Sequence, residues 1–142
     1  MINYTLRSVE PDDSNFIYSS WLKSNRKSDT HKRLTNDIYY HYEGLKITSL
    51  LEKSAIIVAC NKDNPSQIFG WCVVELISNR PVIHFIYVKY PYRRLGLGKA
   101  LLTAVTRDSE TPIYCTHTGW KWEEFKTKYT LCYHPYLIKD TP

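Results

Sequence analysis

Residues 93–98, Arg93-Arg94-Leu95-Gly96-Leu97-Gly98, set two glycines and two arginines between an apolar run and an amphipathic one. The chemistry open to such a junction is anion binding. Glycine lets the backbone turn tightly and leaves its amides uncovered. The first turn of a helix presents N–H groups that have no intrahelical acceptor and favour phosphate. Arg93, Arg94 and Lys99 add positive charge, so the loop reads as a pyrophosphate cradle. Two common phosphate loops are excluded by spacing. No Gly-Lys-Ser/Thr follows at P-loop distance, and Leu101 stands where a dinucleotide fingerprint needs its third glycine.

Other chemistry-bearing side chains are sparse. His84 lies in the apolar run before the loop. Glu75 follows Val73 and Val74 in another apolar run, where a carboxylate must be paired, exposed or functional. The cysteines at 60, 72, 115 and 132 form no Cys-x-x-Cys pair. Three of them sit in strand-like runs, so they read as small buried thiols of a reducing compartment rather than a disulfide frame or zinc site. Cys115 has no histidine-plus-carboxylate arrangement that would single it out as a nucleophile. His31, His41 and His134 lack ligand spacing, so no metal is expected.

Those groups must be positioned by local elements. Residues 81–88 are nearly all β-branched or aromatic and predict a strand. Leu97, Leu101, Ala104 and Val105 share one helical face and predict a helix over 97–108. Residues 4–9 alternate as a first strand, and Pro11-Asp12-Asp13-Ser14 signals a helix start with Phe16, Ile17 and Trp21 on its apolar face. A loop is expected to about residue 35, then a helix over 45–53. Residues 55–60 and 67–77 predict a hairpin around the turn signal at 61–65. Further strands are expected at 112–117, 130–133 and 136–138, with a short helix carrying Trp122 and Phe125. The order describes a mixed sheet flanked by helices.

The chain has 142 residues and reads as one domain, 1–142, large enough for a core without metal or disulfide staples. No stretch has the apolar length to span a membrane and the start lacks a signal-peptide core, so the expectation is a cytoplasmic protein. The net charge is +5, and residues 23–33 carry Lys23, Arg26, Lys27, Lys32 and Arg33 against Asp29. Such a run suits a solvated surface, an acidic partner or nucleic acid. Tyr39-Tyr40-His41-Tyr42 follows it, and interleaved bases and aromatics suit nucleobase stacking, although no nucleic-acid-binding motif accompanies them.

Taken whole, Val88-Lys-Tyr-Pro-Tyr-Arg-Arg-Leu-Gly-Leu-Gly-Lys-Ala-Leu-Leu102 resembles the Arg/Gln-x-x-Gly-x-Gly/Ala signature of the GCN5-related N-acetyltransferase (GNAT) superfamily. The element order is similar over essentially the whole chain, and residues 16–24 look like those of small members encoded by tailed bacteriophages. The resemblance implies an α/β fold: a central mixed, mostly antiparallel sheet, about four helices, and a splayed strand pair at the cofactor cleft. It implies acetyl-CoA as co-substrate, with the backbone of Ile86, Tyr87 and Val88 pairing with pantetheine. The segment Arg93, Arg94, Leu95, Gly96, Leu97, Gly98 and Lys99 would hold the pyrophosphate. An amide near Val88 would polarise the thioester carbonyl. The implied reaction is acetyl transfer to an amine of a protein or small molecule by direct attack in a ternary complex.

Direct attack needs a neutral amine, and a lysine amine titrates near ~10.4, so a base helps. His84 is the candidate by position, since alternation places it with Ile86 and Val88. It is similar in offset to one of the paired strand histidines of serotonin N-acetyltransferase, but Val82 occupies the partner position. The alternative is a histidine satisfied by a backbone carbonyl. Glu75 is the rival base. The family's tyrosine acid for the leaving thiolate matches Phe125 here, which leaves Tyr129, then Tyr133, as substitutes. His117 is placed to line the cleft.

The acceptor wall of the family corresponds to residues 21–44, whose basic, tyrosine-rich character would repel a polyamine and favour a neutral amine, an acidic peptide or nucleic acid. Two other readings compete. One is a phage DNA base modifier similar to Mom, bound through the basic segment 23–33. The other is a non-catalytic acyl-CoA-binding module. Homodimers are common in the family, though no segment here forces one.

Overall fold

Six of the strand-like runs and the two strongest helical runs fall where the sequence pattern puts them, and pairing decides the rest. The computed structural model describes residues 2–29, 31–106, 113–118, 126 and 130–138. A six-stranded sheet runs in chain order: β1 (Tyr4–Ser8), β2 (Ala55–Asn61), β3 (Asn64–Ile77), β4 (Arg80–Val88), β5 (Ile113–Cys115) and β6 (Leu131–Tyr133). The first four strands pair antiparallel, and β5 and β6 add in parallel. The sheet is thus mixed and mostly antiparallel, as the resemblance implied. Ser78 and Asn79 close the β3–β4 hairpin at φ 55° and 64°, the left-handed pair that a two-residue turn needs to match strand twist.

The helices are α1 (Ser14–Asn25), α2 (Asn36–Lys53) and α3 (Leu97–Thr106). Helix α2 starts well before the expected residue 45. Thr35 caps it through Ile38 N, and its buried face is Tyr39, Glu43, Gly44, Ile47 and Leu50. A buried glutamate and glycine in that face hide the apolar period. The expected strand 136–138 is instead a 3-10 turn, Pro135–Leu137, because proline has no amide to give a ladder. The predicted helix with Trp122 and Phe125 lies outside the described residues.

One core layer joins α1 and α2 to the sheet through Trp21, Tyr39, Ile47, Trp71 and Phe85. Trp71 Nε1 donates to Ser20 Oγ at 2.9 Å, which satisfies the buried indole. The other layer packs α3 through Phe69, Cys72, Ile83, Leu97, Leu101 and Cys115. Arg7 on β1 clamps the start of α1, its two terminal nitrogens 2.7 and 3.0 Å from the Asp13 carboxylate. All four cysteines are free, and three are buried. Among the described residues no helix is long and apolar enough to cross a membrane.

Candidate functional site: a strand fork and a glycine loop

The register between β3 and β4 skips one residue. Val73 opposes Phe85 and Val74 opposes Ile83, leaving His84 as the extra residue of a bulge. A bulge resets the alternation of faces. Ile83 joins the α3 layer while Phe85 joins the α1–α2 layer, and Ile86 and Val88 pack toward α3. Counting by twos from Val88 therefore does not reach His84, because the face assignment changes at the bulge itself.

The parallel β4–β5 pairing is short. It covers Val82 with Tyr114 and Ile83 with Cys115, and Thr116 N donates to Ile83 O at 3.0 Å. Beyond that bond no described strand pairs with this edge of β4, so Ile86, Tyr87 and Val88 offer backbone groups at a fork. The loop after them turns tightly. Arg93 Nε donates to Val88 O at 2.7 Å, fastening the loop to the strand end. Arg94 and Gly96 take positive φ, 64° and 86°. Ala100 N bonds Gly96 O at 3.0 Å, so helix geometry leaves the amides of Leu97, Gly98 and Lys99 without intrahelical acceptors. A β-carbon at Gly96 would meet no atom within 4 Å, so that face of the loop is uncovered. Arg94 and Lys99 are exposed beside it. Open amides, a helix N-terminus and two cations make an arrangement suited to a phosphate-bearing anion.

His84 is fully buried and uses both ring nitrogens. Nε2 lies 2.8 Å from Glu75 Oε1, and Nδ1 lies 2.7 Å from Thr116 Oγ1. Neither partner is the backbone carbonyl of the alternative reading. Burial pushes the His84 pKa below its ordinary value, opposed in part by the Glu75 hydrogen bond. Glu75 itself is partly open, its side chain 22% exposed. Both proposed bases thus meet in one pair. Thr116 Oγ1 also lies 3.0 Å from His117 Nδ1, a link that no local spacing signals. Tyr129 lies outside the described residues.

His117, two residues beyond the end of β5, lies against the rings of Trp21 and Phe85, at centroid distances of 5.4 and 6.1 Å. It lines a cleft of about 240 Å³ with Asn25, Ser28, Lys46 and Tyr133 among its walls. Burial, then the charge of Lys46, pushes its pKa down to about 3. Beside it, Glu43 accepts from Asn25 Nδ2 at 2.8 Å and lies 3.2 Å from His31 Nε2 and 3.0 Å from Lys46 Nζ. Burial alone would raise the Glu43 pKa, but His31 and Lys46 outweigh it and hold it at about 2. Cys115 is held as a thiol, pushed up to about 12 by burial and by Cys132, which bars it as a nucleophile at neutral pH. Among the described residues no cluster of three or more potential metal ligands occurs.

The basic segment is partly spent on structure. Arg26 donates to the carbonyls of His31 and Leu34 and lies over the Tyr39 ring, while Lys32 pairs with Asp29 at 3.1 Å. Tyr39 is buried, whereas Tyr40 and Tyr42 are exposed.

The backbone is similar to several solved acetyltransferases. One from Trypanosoma brucei is 19% identical with a TM-score of 0.54, covering 99% of this chain and 98% of that one. The PaiA N-acetyltransferase of Thermoplasma acidophilum, solved with coenzyme A, is 16% identical at a TM-score of 0.51, covering 72% and 69%. A GCN5-related glucosamine N-acetyltransferase region within a fungal multi-domain GH3 β-N-acetylglucosaminidase is 17% identical at 0.52, covering 74% of this chain. This chain spans 12% of that fungal protein and 62% of another solved match. No curated protein matches it. The sequence pattern of the acetyltransferase (GNAT) family matches residues 15–119, a stretch that holds α1, the bulged strand, the glycine loop and the end of β5. By that match, the chain belongs to the acetyltransferase (GNAT) family.

Proposed function

We propose that the protein is an N-acetyltransferase moving an acetyl group from acetyl-CoA to an amine of a protein or small molecule, by direct attack in a ternary complex. The observation that carries this reading is the fork between β4 and β5, closed at one end by the Thr116–Ile83 bond and flanked at the other by the open glycine loop. Acetyl-CoA, when bound, supplies the thioester as acyl source. The free edge of β4 at Ile86, Tyr87 and Val88 suits the amides of a pantetheine arm. The amides of residues 97–99, with Arg94 and Lys99, suit the pyrophosphate, and Arg93 keeps the loop in place through Val88 O.

The amine must shed a proton before it attacks. Glu75 and His84 form the proton-accepting pair. A carboxylate partner favours protonation of the imidazole, and the partial exposure of Glu75 gives the proton an exit to water. Tyr129 is the proposed source of a proton for the leaving thiolate, although that thiol is a tolerable leaving group unaided. Free, buried cysteines accord with a reducing compartment such as the cytoplasm.

Calorimetric titration with acetyl-CoA tests the reading, with Gly98→Trp as the control that fills the cradle. Binding by the wild type that the variant loses is the expected result. No binding by the wild type would reduce the glycine loop to a turn and end the enzyme reading.

A further inference from the structure

With Glu75 taken as a carboxylate and His84 kept neutral by burial, the chain of hydrogen bonds behind the fork has one self-consistent set of proton positions. An ionised carboxylate only accepts, so His84 Nε2 carries the proton that points at Glu75 Oε1, 2.8 Å away. A neutral His84 then accepts at Nδ1, so the Thr116 hydroxyl donates to it across 2.7 Å. The Thr116 oxygen is thereby left to accept, and His117 Nδ1, 3.0 Å away, carries the proton it receives. His117 Nε2 ends the chain as a bare lone pair. It is a buried polar atom without a partner among the described residues, in a residue 9% exposed that lines the cleft. Buried acceptors left unpaired are rare, and one at the wall of a cleft calls for a donor from outside the protein. The lysine facing the same cleft, Lys46, is already paired with Glu43, which also lies beside His31.

We propose that His117 Nε2 takes the proton of a primary ammonium acceptor entering this cleft, and that Thr116 and His84 relay a proton to Glu75. The proposal rests on the acetyltransferase reading and names the atom that meets the substrate. The N–H bond of the ammonium breaks and an Nε2–H bond forms on His117. The Nδ1 proton of His117 passes to Thr116 Oγ1 as the hydroxyl proton moves to His84 Nδ1. The His84 Nε2 proton then passes to Glu75 Oε1. The ammonium loses one positive charge and the carboxylate one negative charge, so the relay leaves no net charge in the interior. His84 cannot meet the amine itself, being fully buried with both nitrogens engaged. His117 is thus the catalytic residue, and Thr116, His84 and Glu75 act through it. Burial and the nearby Lys46 disfavour a lasting imidazolium, which makes onward transfer necessary rather than optional.

Two measurements separate this proposal from the reading beneath it. Long-range proton–nitrogen NMR of histidine-labelled protein at neutral pH reports the tautomers without any acceptor. The expected result is His117 protonated at Nδ1 and His84 at Nε2, with Thr116→Val abolishing the His117 preference. His117 protonated at Nε2, or tautomers indifferent to Thr116→Val, would overturn the relay. The second is acetyl-CoA turnover against three probe amines: a peptide α-amine, a lysine peptide and a polyamine. With a probe that reacts, His117→Ala should lose about 10²-fold or more in kcat while coenzyme A binding is kept, and added imidazole should restore part of it. Undiminished kcat in His117→Ala overturns the proposal and leaves the acetyltransferase reading standing. If the wild type turns over no probe, that counts against the transfer reading, and the tautomers judge the relay by themselves.

Discussion

Gly70 lies opposite Val88 in the β3–β4 register, directly behind the strand edge proposed to meet pantetheine. A β-carbon there would stand 2.5 Å from the Tyr87 carbonyl oxygen and 3.2 Å from Val88 Cα. The backbone of Gly70 is not in the left-handed region, so Gly70→Ala is opposed by space alone. Ordinary contact begins at 3.4 Å, so the two strands must part by ~0.9 Å at this rung of a close-packed sheet. Overpacking of that kind costs ~1–3 kcal/mol, or a fall of ~3–12 °C in melting temperature for a chain of this size. The displaced atoms are backbone of Tyr87 and Val88, so coenzyme A affinity should fall about tenfold for each ~1.4 kcal/mol of lost pairing. Thermal unfolding followed by circular dichroism and calorimetric titration with coenzyme A read the two effects separately. Gly44→Ala is the matched control. Its β-carbon would meet only the end of the Tyr18 side chain, the hydroxyl at 2.6 Å and Cζ at 3.8 Å, which can swing away, and alanine favours the helix by ~1 kcal/mol. A Gly70→Ala protein with unchanged melting and affinity, or one more stable than Gly44→Ala, would refute the reasoning.

Gly96→Ala should cost ~1–2 kcal/mol through the left-handed backbone and not through contact, because the space around its β-carbon is open; urea unfolding checks this, and a loss beyond ~3 kcal/mol would point to a clash the structure lacks. Asp13→Ala strips Arg7 of its two-pronged partner and the Glu10 amide of its acceptor, so it should lose ~3–5 kcal/mol, read as a shift in urea midpoint at constant slope. His117 is held neutral, with its pKa at about 3 against an ordinary 6.5, so the unfolded chain binds the proton first as pH falls. Its contribution is therefore complete above the ordinary value and is lost on acidification toward the folded one, at up to ~1.4 kcal/mol per pH unit. Unfolding free energies measured across that window should flatten by about one proton in His117→Gln, and identical slopes in variant and wild type would sink the assignment.

The glycine loop was legible because its determinants are local. Two glycines, a strand end and a helical face within a short stretch specify the turn and the open amides whatever packs around them. The β2–β3 hairpin and the first turn of α1 were legible for the same reason. The start of α2 was not, because Glu43 and Gly44 are buried by partners distant in the chain, Asn25, His31 and Tyr18. Glu75 and His84 could be named as separate candidates, but nothing local says that they meet. That contact depends on strand register, and the bulge at His84 changes the face count by one residue. Thr116 carried no signal at all. A threonine becomes a proton carrier only where the sheet brings it within 2.7 Å of His84, 32 residues away in sequence. Side-chain type and spacing decide local backbone form and the chemistry a residue can do. Which groups share a hydrogen bond, and which lone pair is left facing a cleft, is set by long-range pairing, so only the assembled sheet decided it.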